Sequence, residues 1–527
     1  MLRMLRIAAV VIAASVVSLA CGAREREVAI GLQAAITSID PHYHNLSPNN
    51  SLLLHIYEPL VMRDPNQKLV PGLATSWRSL DDLTWEFKLR KNVKFHDGTP
   101  FTAEDVVATY KRVPNVPNSP SSMATFTRPI VDTKIVDPHT IVFKTAAPHV
   151  LLPSDLGAVY ILPKAIAEKA TTEDFNSGKA AIGTGPYKFA EYIPNQRVVL
   201  KANYAYWGGE EPWDKVTFKI LSNPAARVAA LLSGDVQMIE TVPTSDIAKL
   251  ASDKNFALAD KVSNRVIYVH LHQWSDKAPP FVAAKDGKPL ERNPFRDSRV
   301  RKALSIAINR DAIVERIMKK KAVPASQLLP DFFYGTSKKL KPPKYDPAAA
   351  KKLLAEAGYP NGFALTIHGP NNRYINDDKV AQAIAQFYSR AGIDAKVETM
   401  PSSVYFSRAT NGDFGYMLLG WGTESGEQGS SLRSLLATRD MEKGMGVNNR
   451  GRYSNPAFDK QLTEALNTMD ERKREGMIQL AAETAMNDTA LIPVHYEVST
   501  WATAKGYRYT PRTDQYTLVT GLKPVAQ

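Results

Sequence analysis

The stretch 411-NGDFGYMLLGWGTESGEQG-429 decides how the second half of this chain folds. Phe414, Tyr416, Met417, Leu418 and Leu419 make an apolar run of strand length. The run delivers Trp421 into a loop of glycines and acids that carries Glu424 and Glu427. Helices and strands alternate around it. Residues 297–318 have helical spacing, and Asp346-Pro347 caps a helix that ends at Gly358. FALTIH (363–368) reads as a strand, 376–390 as a helix stopped at Gly392, and IDAKVET (393–399) as a strand. Helices over 456–468 and 470–487 precede the strand LIPVHYEV (491–498). This rhythm predicts an α/β domain of at least four strands, with Trp421 at the carboxyl end of one. Ligands of open α/β sheets collect beyond that edge.

The first half alternates faster. VAIGLQAAITSIDP (28–41) is a strand running to a turn at Asp40-Pro41, and Leu52, Leu53, Ile56 and Tyr57 have helical spacing. In TWEFKLR (84–90) period two puts Trp85, Phe87 and Leu89 on one face. Thr102 and Asp105 have capping-box spacing. Residues 131–137 and 140–145 form a strand pair, and Pro224 and Gly234 bracket a helix.

With 527 residues the chain needs two or three hydrophobic cores. Arg3 and Arg6 precede an apolar run from Ile7 to Leu19, too short to span a bilayer and suited to a signal peptide over residues 1–20. The single cysteine, Cys21, excludes a disulfide framework. Two processing routes stand open: lipidation of Cys21, or cleavage after Ala20 or Ala23. The formal charge of +13 is dispersed, without an aromatic-interleaved basic stripe, and nucleic acid is not an expected partner.

No reaction motif is present: no G-x-x-x-x-G-K-[ST], no H-E-x-x-H, no G-x-S-x-G. His270 and His272 lie in a strand-like run and read as core histidines. His42 and His44, beside Asp40, leave a metal alternative open. An exported, multidomain α/β chain with no reaction or cofactor motif suggests a binding protein whose site lies between domains.

The segment YEPLVMRDPNQKLVPGLATSW, the core of 57–112, resembles the signature region of family 5 extracellular solute-binding proteins, the peptide/nickel-type receptors of ABC importers. GTGPYKF (183–189), FRDSRVRKALSIAINRDAIV (295–314) and YDPAAAKKLLAEAGYPNGF (345–363) continue the likeness along the mature chain. The resemblance implies a two-lobed, type II, cluster C-like periplasmic binding protein with an extra inserted domain. Lobe I would combine 27–60, 182–275 and 491–527; the insertion would span 61–181, and lobe II 276–490. It further implies a monomer that takes a peptide or related amine-bearing solute and delivers it to a permease and ATPase complex. Nickel chelates, opines or sugars are the alternative ligands, and a secreted hydrolase the alternative class.

By the same resemblance, Glu424 stands where peptide-binding members carry an aspartate for the ligand ammonium, and Trp421 lines side-chain pockets. Arg373 would bind a ligand carboxylate, although the gapless match is Asn371. Asn49 falls at a first-lobe contact. Glu427 is expected to be a loop or N-cap acid for the helix that follows.

Overall fold

The computed structural model describes residues 26–423 and 425–525. The expected signal peptide, Cys21 and Glu424 lie outside the described residues. Among the described residues, one hydrogen-bonded sheet of twelve strands runs through the molecule. Its first-lobe end holds Glu27–Leu32 between two parallel neighbours, Lys215–Ile220 and Met238–Ile239, with Arg197–Ala202 and Tyr187–Ile193 added antiparallel. Its second-lobe end holds Ala364–Pro370, parallel to both Asp394–Met400 and Tyr416–Gly422.

Two long strands connect these ends. Phe256–Leu271 and Ile492–Ala504 pair antiparallel over most of their length. Register is lost between Val262 and Val266, the place where the pair passes from one lobe into the other. Each lobe has its own core. Ile30, Leu53, Tyr57, Phe218 and Trp501 belong to one, and Val269, Leu304, Ile367, Ile384 and Leu418 to the other. This is the α/β fold expected from the alternation of elements, in the two-lobed form that the family resemblance implied.

A third unit is a separate antiparallel sheet in the order Ala74–Asp81, Thr84–Leu89, Thr140–Thr145, Ile130–Asp137. Phe87 and Phe143 pack edge to face at 5.5 Å under the helix Ala103–Arg112. That helix opens with the expected box: Thr102 accepts from the Glu104 backbone and the Asp105 carboxylate accepts from the Thr102 N–H.

A buried carboxylate of the first lobe lies where that lobe meets this unit, and the ring of its partner Trp207 sits under the guanidinium of the unit's Arg90 at 3.9 Å. Glu58 accepts from Thr184 Oγ1 at 2.8 Å, Tyr206 OH at 2.7 Å and Trp207 Nε1 at 2.8 Å. Burial pushes its carboxyl up to about 7, against the three donors that pull it down.

The expected helix over 297–318 is broken. It runs Ser298–Ile306, and a new turn starts at Asn309, whose side chain accepts from Ala312 N–H. The break turns Arg310 inward, where Nε and Nη2 donate to the Pro493 carbonyl at 2.9 and 2.7 Å. A strand end is thereby tied to the helix at the cost of helical continuity.

Candidate ligand-binding cleft

Because Ala364–Pro370 and Tyr416–Gly422 run parallel, their carboxyl ends emerge at one edge. The loop 371–376 leaves the first and the loop 423–427 the second. Tyr374 joins them: its hydroxyl donates to the Gly420 carbonyl at 3.1 Å. Gly420 is needed for this approach, since a Cβ there would stand 2.6 Å from Tyr374 Cε1 and 2.9 Å from Ile267 Cδ1. Gly420→Ala is therefore expected to displace the Tyr374 ring and cost about 1–3 kcal/mol by overpacking. Denaturant unfolding and Tyr374-dependent ligand affinity measure the two effects.

Trp421 is half-buried at the strand end, and its indole N–H donates to Ser431 Oγ at 3.2 Å. Arg373 lies on the neighbouring loop with its guanidinium 5.4 Å from the Tyr374 ring centroid. Its backbone N–H, like that of Tyr374, donates to Asp377 at the start of the helix Asp377–Arg390. Among the described residues no carboxylate pairs with Arg373. Asn371 is exposed just past Pro370, its N–H bound to the Met400 carbonyl. Trp421, Arg373 and Asn371 thus share one sheet edge.

Asn49 is placed differently. It is fully buried, and both ends of its amide are used on Thr37: Oδ1 accepts from the backbone N–H and Nδ2 donates to Oγ1 at 2.8 Å. It shapes the segment after the strand Glu27–Leu32 from behind.

Several partners of the edge gave no signal in the sequence. Glu497, on a crossing strand, is buried and accepts from Ile375 N–H at 3.0 Å and Gln515 Nε2 at 3.2 Å, with Arg265 Nε 3.6 Å away. Asn376 Nδ2 donates to Thr244 Oγ1 at 3.0 Å and thereby joins the second lobe to the first. Apart from Gln515 and Glu497, 18 residues apart, these contacts span more than a hundred residues, beyond the reach of local pattern.

Glu427 occupies the N-cap position of the helix Gln428–Leu435 but makes no side-chain cap bond. Its carboxylate turns instead to Arg474 Nη2 at 2.9 Å. Burial pushes it up to about 7 although Arg474 pulls the other way. The sequence expectation of a capping acid is corrected here: the guanidinium, itself stacked at 5.1 Å on Tyr334, offers the stronger partner in a dry setting. Glu427 also lines a cavity of about 1370 Å³ between Trp77 and Trp85 of the third unit and Phe333 and Tyr334 of the second lobe. Trp421, Arg373 and Asn49 do not line that cavity.

The histidine alternatives resolve by geometry. His42 is buried with both ring nitrogens engaged, Nδ1 by Arg112 and Nε2 by the Tyr160 carbonyl. Burial and the Arg112 charge lower it to about 4. His44 Nδ1 is 2.9 Å from Thr37 Oγ1, so the pair does not converge on a metal. His270 packs on Tyr268, and His272 accepts from Trp274 Nε1. Among the described residues, no group of three or more His, Cys, Asp or Glu side chains could hold a metal ion, and no helix is long and apolar enough to cross a membrane.

Comparison with known proteins gives this edge its context. The glutathione-binding protein GsiB of Pectobacterium atrosepticum is 29% identical over 496 residues, covering 92% of this chain and 91% of that protein. The dipeptide-binding protein of Escherichia coli is 29% identical over 461 residues, covering 82% of each. In fold, the chain is similar to the periplasmic binding protein DppA of Helicobacter pylori in complex with the peptide STSA, with a TM-score of 0.78 and 24% identity over 95% of this chain and 98% of the other. It is also similar to NikZ of Campylobacter jejuni in complex with Ni(L-His), with a TM-score of 0.76 and 22% identity over 94% and 99%. The model of the bacterial extracellular solute-binding proteins, family 5, matches residues 68–443. That match spans well over half of the chain, which belongs to the family 5 bacterial extracellular solute-binding proteins.

Proposed function

We propose that the chain is the extracytoplasmic receptor of an ABC importer that encloses a peptide or related amine-bearing solute between its lobes. The observation that carries this reading is the shared sheet edge, where Tyr374 ties the loop of Arg373 to the strand end of Trp421. Glu424 follows three residues later in sequence. An aromatic wall with one carboxylate and one guanidinium suits a ligand that carries an ammonium and a carboxylate. Dipeptide- and glutathione-binding relatives add to this.

The mature chain works as a monomer without catalysis and hands its ligand to a permease and ATPase complex. Residues 1–20 are removed on export to the periplasm, and Cys21 is the one residue available for lipid anchoring. The domain division proposed is 27–60, 182–275 and 491–527 for the first lobe, 61–181 for the insertion and 276–490 for the second. The separate four-stranded sheet falling within 74–145 supports this division.

Calorimetric titration with di- and tripeptides, free and N-acetylated, tests the reading. Free peptides are expected to bind, and N-acetylated ones to bind at least about tenfold more weakly, since an unpaired buried carboxylate is costly. Equal affinity for both sets removes the ammonium role.

A further inference from the structure

The loop that carries Glu424 is gripped from outside its own lobe. Gln67, on the turn between the third unit's strands Val61–Arg63 and Leu69–Pro71, donates through Nε2 to the Thr423 carbonyl at 3.0 Å. Asn264, at the register break of the crossing strand, donates to the same carbonyl at 2.7 Å and to Gln67 Oε1 at 2.9 Å. All three residues are buried. Two residues further on, Ser154 Oγ of the third unit donates to the Ser425 carbonyl at 3.3 Å. The third unit therefore holds the backbone on both sides of position 424.

The gripping turn is itself anchored. Arg512 Nη2 donates to the Arg63 and Asp64 carbonyls at 3.1 and 3.2 Å, and Thr513 N–H donates to the Pro65 carbonyl at 2.9 Å. These bonds fix the turn to the first lobe's C-terminal segment. Gln67 has φ of 63°. That left-handed conformation favours glycine or asparagine and is strained for a longer side chain. A strained residue with a buried, fully used amide fits a positioning role better than a turn-forming one.

We propose that Gln67, seconded by Ser154, is the latch by which the third unit sets the ligand loop. When this unit and the second lobe are together, the Thr423 and Ser425 carbonyls are held and the loop between the strand end and the next helix is fixed at both points. When they part, the loop is released. The idea rests on the proposed receptor function for its ligand readout, but not for its structural one.

Two variants test it. Gln67→Glu keeps the size and the acceptor for Asn264 but sets a carboxylate oxygen against the Thr423 carbonyl. Gln67→Gly relieves the left-handed backbone and removes the arm. Hydrogen exchange of the amides in 422–429, measured without ligand, is expected to speed up about tenfold or more in both. Unchanged exchange overturns the latch whether or not a ligand is known. Affinity for a tripeptide pool with free termini is expected to fall about ten- to a hundredfold, mainly through faster dissociation, while Gln67→Gly melts within a few degrees of the parent protein. Parent-like affinity in both variants also overturns the latch. Failure of the parent protein itself to bind the pool counts against the receptor reading instead, and leaves exchange to decide the latch.

Discussion

Glu424→Gln is expected to weaken ligands with a free ammonium by about 30-fold at least and up to several thousandfold. Those factors correspond to the roughly 2–5 kcal/mol lost when one partner of an enclosed charge pair is neutralised. Glutamine keeps the size and one acceptor oxygen, so the loss isolates charge from shape. N-acetylated ligands are expected to be indifferent to the change, and the melting temperature to stay put. The neighbours on either side support so sharp an effect: the Thr423 carbonyl accepts two buried donors and Ser425 accepts a third. Titration of both variants with both ligand sets measures the coupling, and equal losses for free and acetylated ligands refute the pairing.

Glu58→Leu carries the largest expected cost in stability. Three donors to a buried carboxylate, Thr184 Oγ1, Tyr206 OH and Trp207 Nε1, lose their acceptor together. At about 1–2 kcal/mol each the total is roughly 3–6 kcal/mol, a large share of what holds a domain folded. Calorimetry is expected to show the transition of the first lobe falling by about 10 °C. Glu58→Gln, which resembles the protonated acid, is expected to fold.

The pH dependence follows from the raised carboxyl. A folded-state value of about 7, above the ordinary carboxyl value of 4.5, means the folded form holds its proton more tightly. Stability from this group is therefore full below about pH 4.5 and falls as pH rises through 7, by on the order of 3 kcal/mol. Glu58→Gln is expected to flatten that slope, and urea midpoints from pH 4.5 to 8 measure it.

What the sequence disclosed was whatever repeats locally. The apolar run before Trp421 and the capped helix after Asp346 appear as read, the strand at Tyr416–Gly422 and the helix at Pro347–Glu356. The strand pair at 130–145 does too. The length of Phe256–Leu271 did not show, because a polar interruption, Ser263-Asn264-Arg265, splits it. That interruption is the lobe crossing itself. Nor did the helix break at Asn309, which serves a guanidinium whose acceptor lies 183 residues away.

The candidate site was legible in the same measure. Trp421 could be placed at a strand end because strand ends are local, whereas Arg373 was singled out only by the family resemblance. Asn49 could not be assigned a direction, since its burial depends on how Thr37 folds back over it. Gln67, Glu58 and Glu497 looked like ordinary polar residues. What sets them apart is a partner between 126 and 356 residues distant, or a setting made by the chain's last strands.

The first lobe is also a late product of synthesis. Thr517 N–H donates to Ser51 Oγ and Val519 N–H to His55 Nε2, contacts 466 and 464 residues apart in the chain. Trp501, near the C-terminus, fills the same core as Ile30 and Tyr57. An emerging chain therefore carries its opening strand and helix unfinished until residues 517–519 have left the ribosome. Closing so wide a loop is slow, and it leaves apolar surface uncovered in the interval. The arrangement makes completion of the first-lobe core wait for residues 501–519.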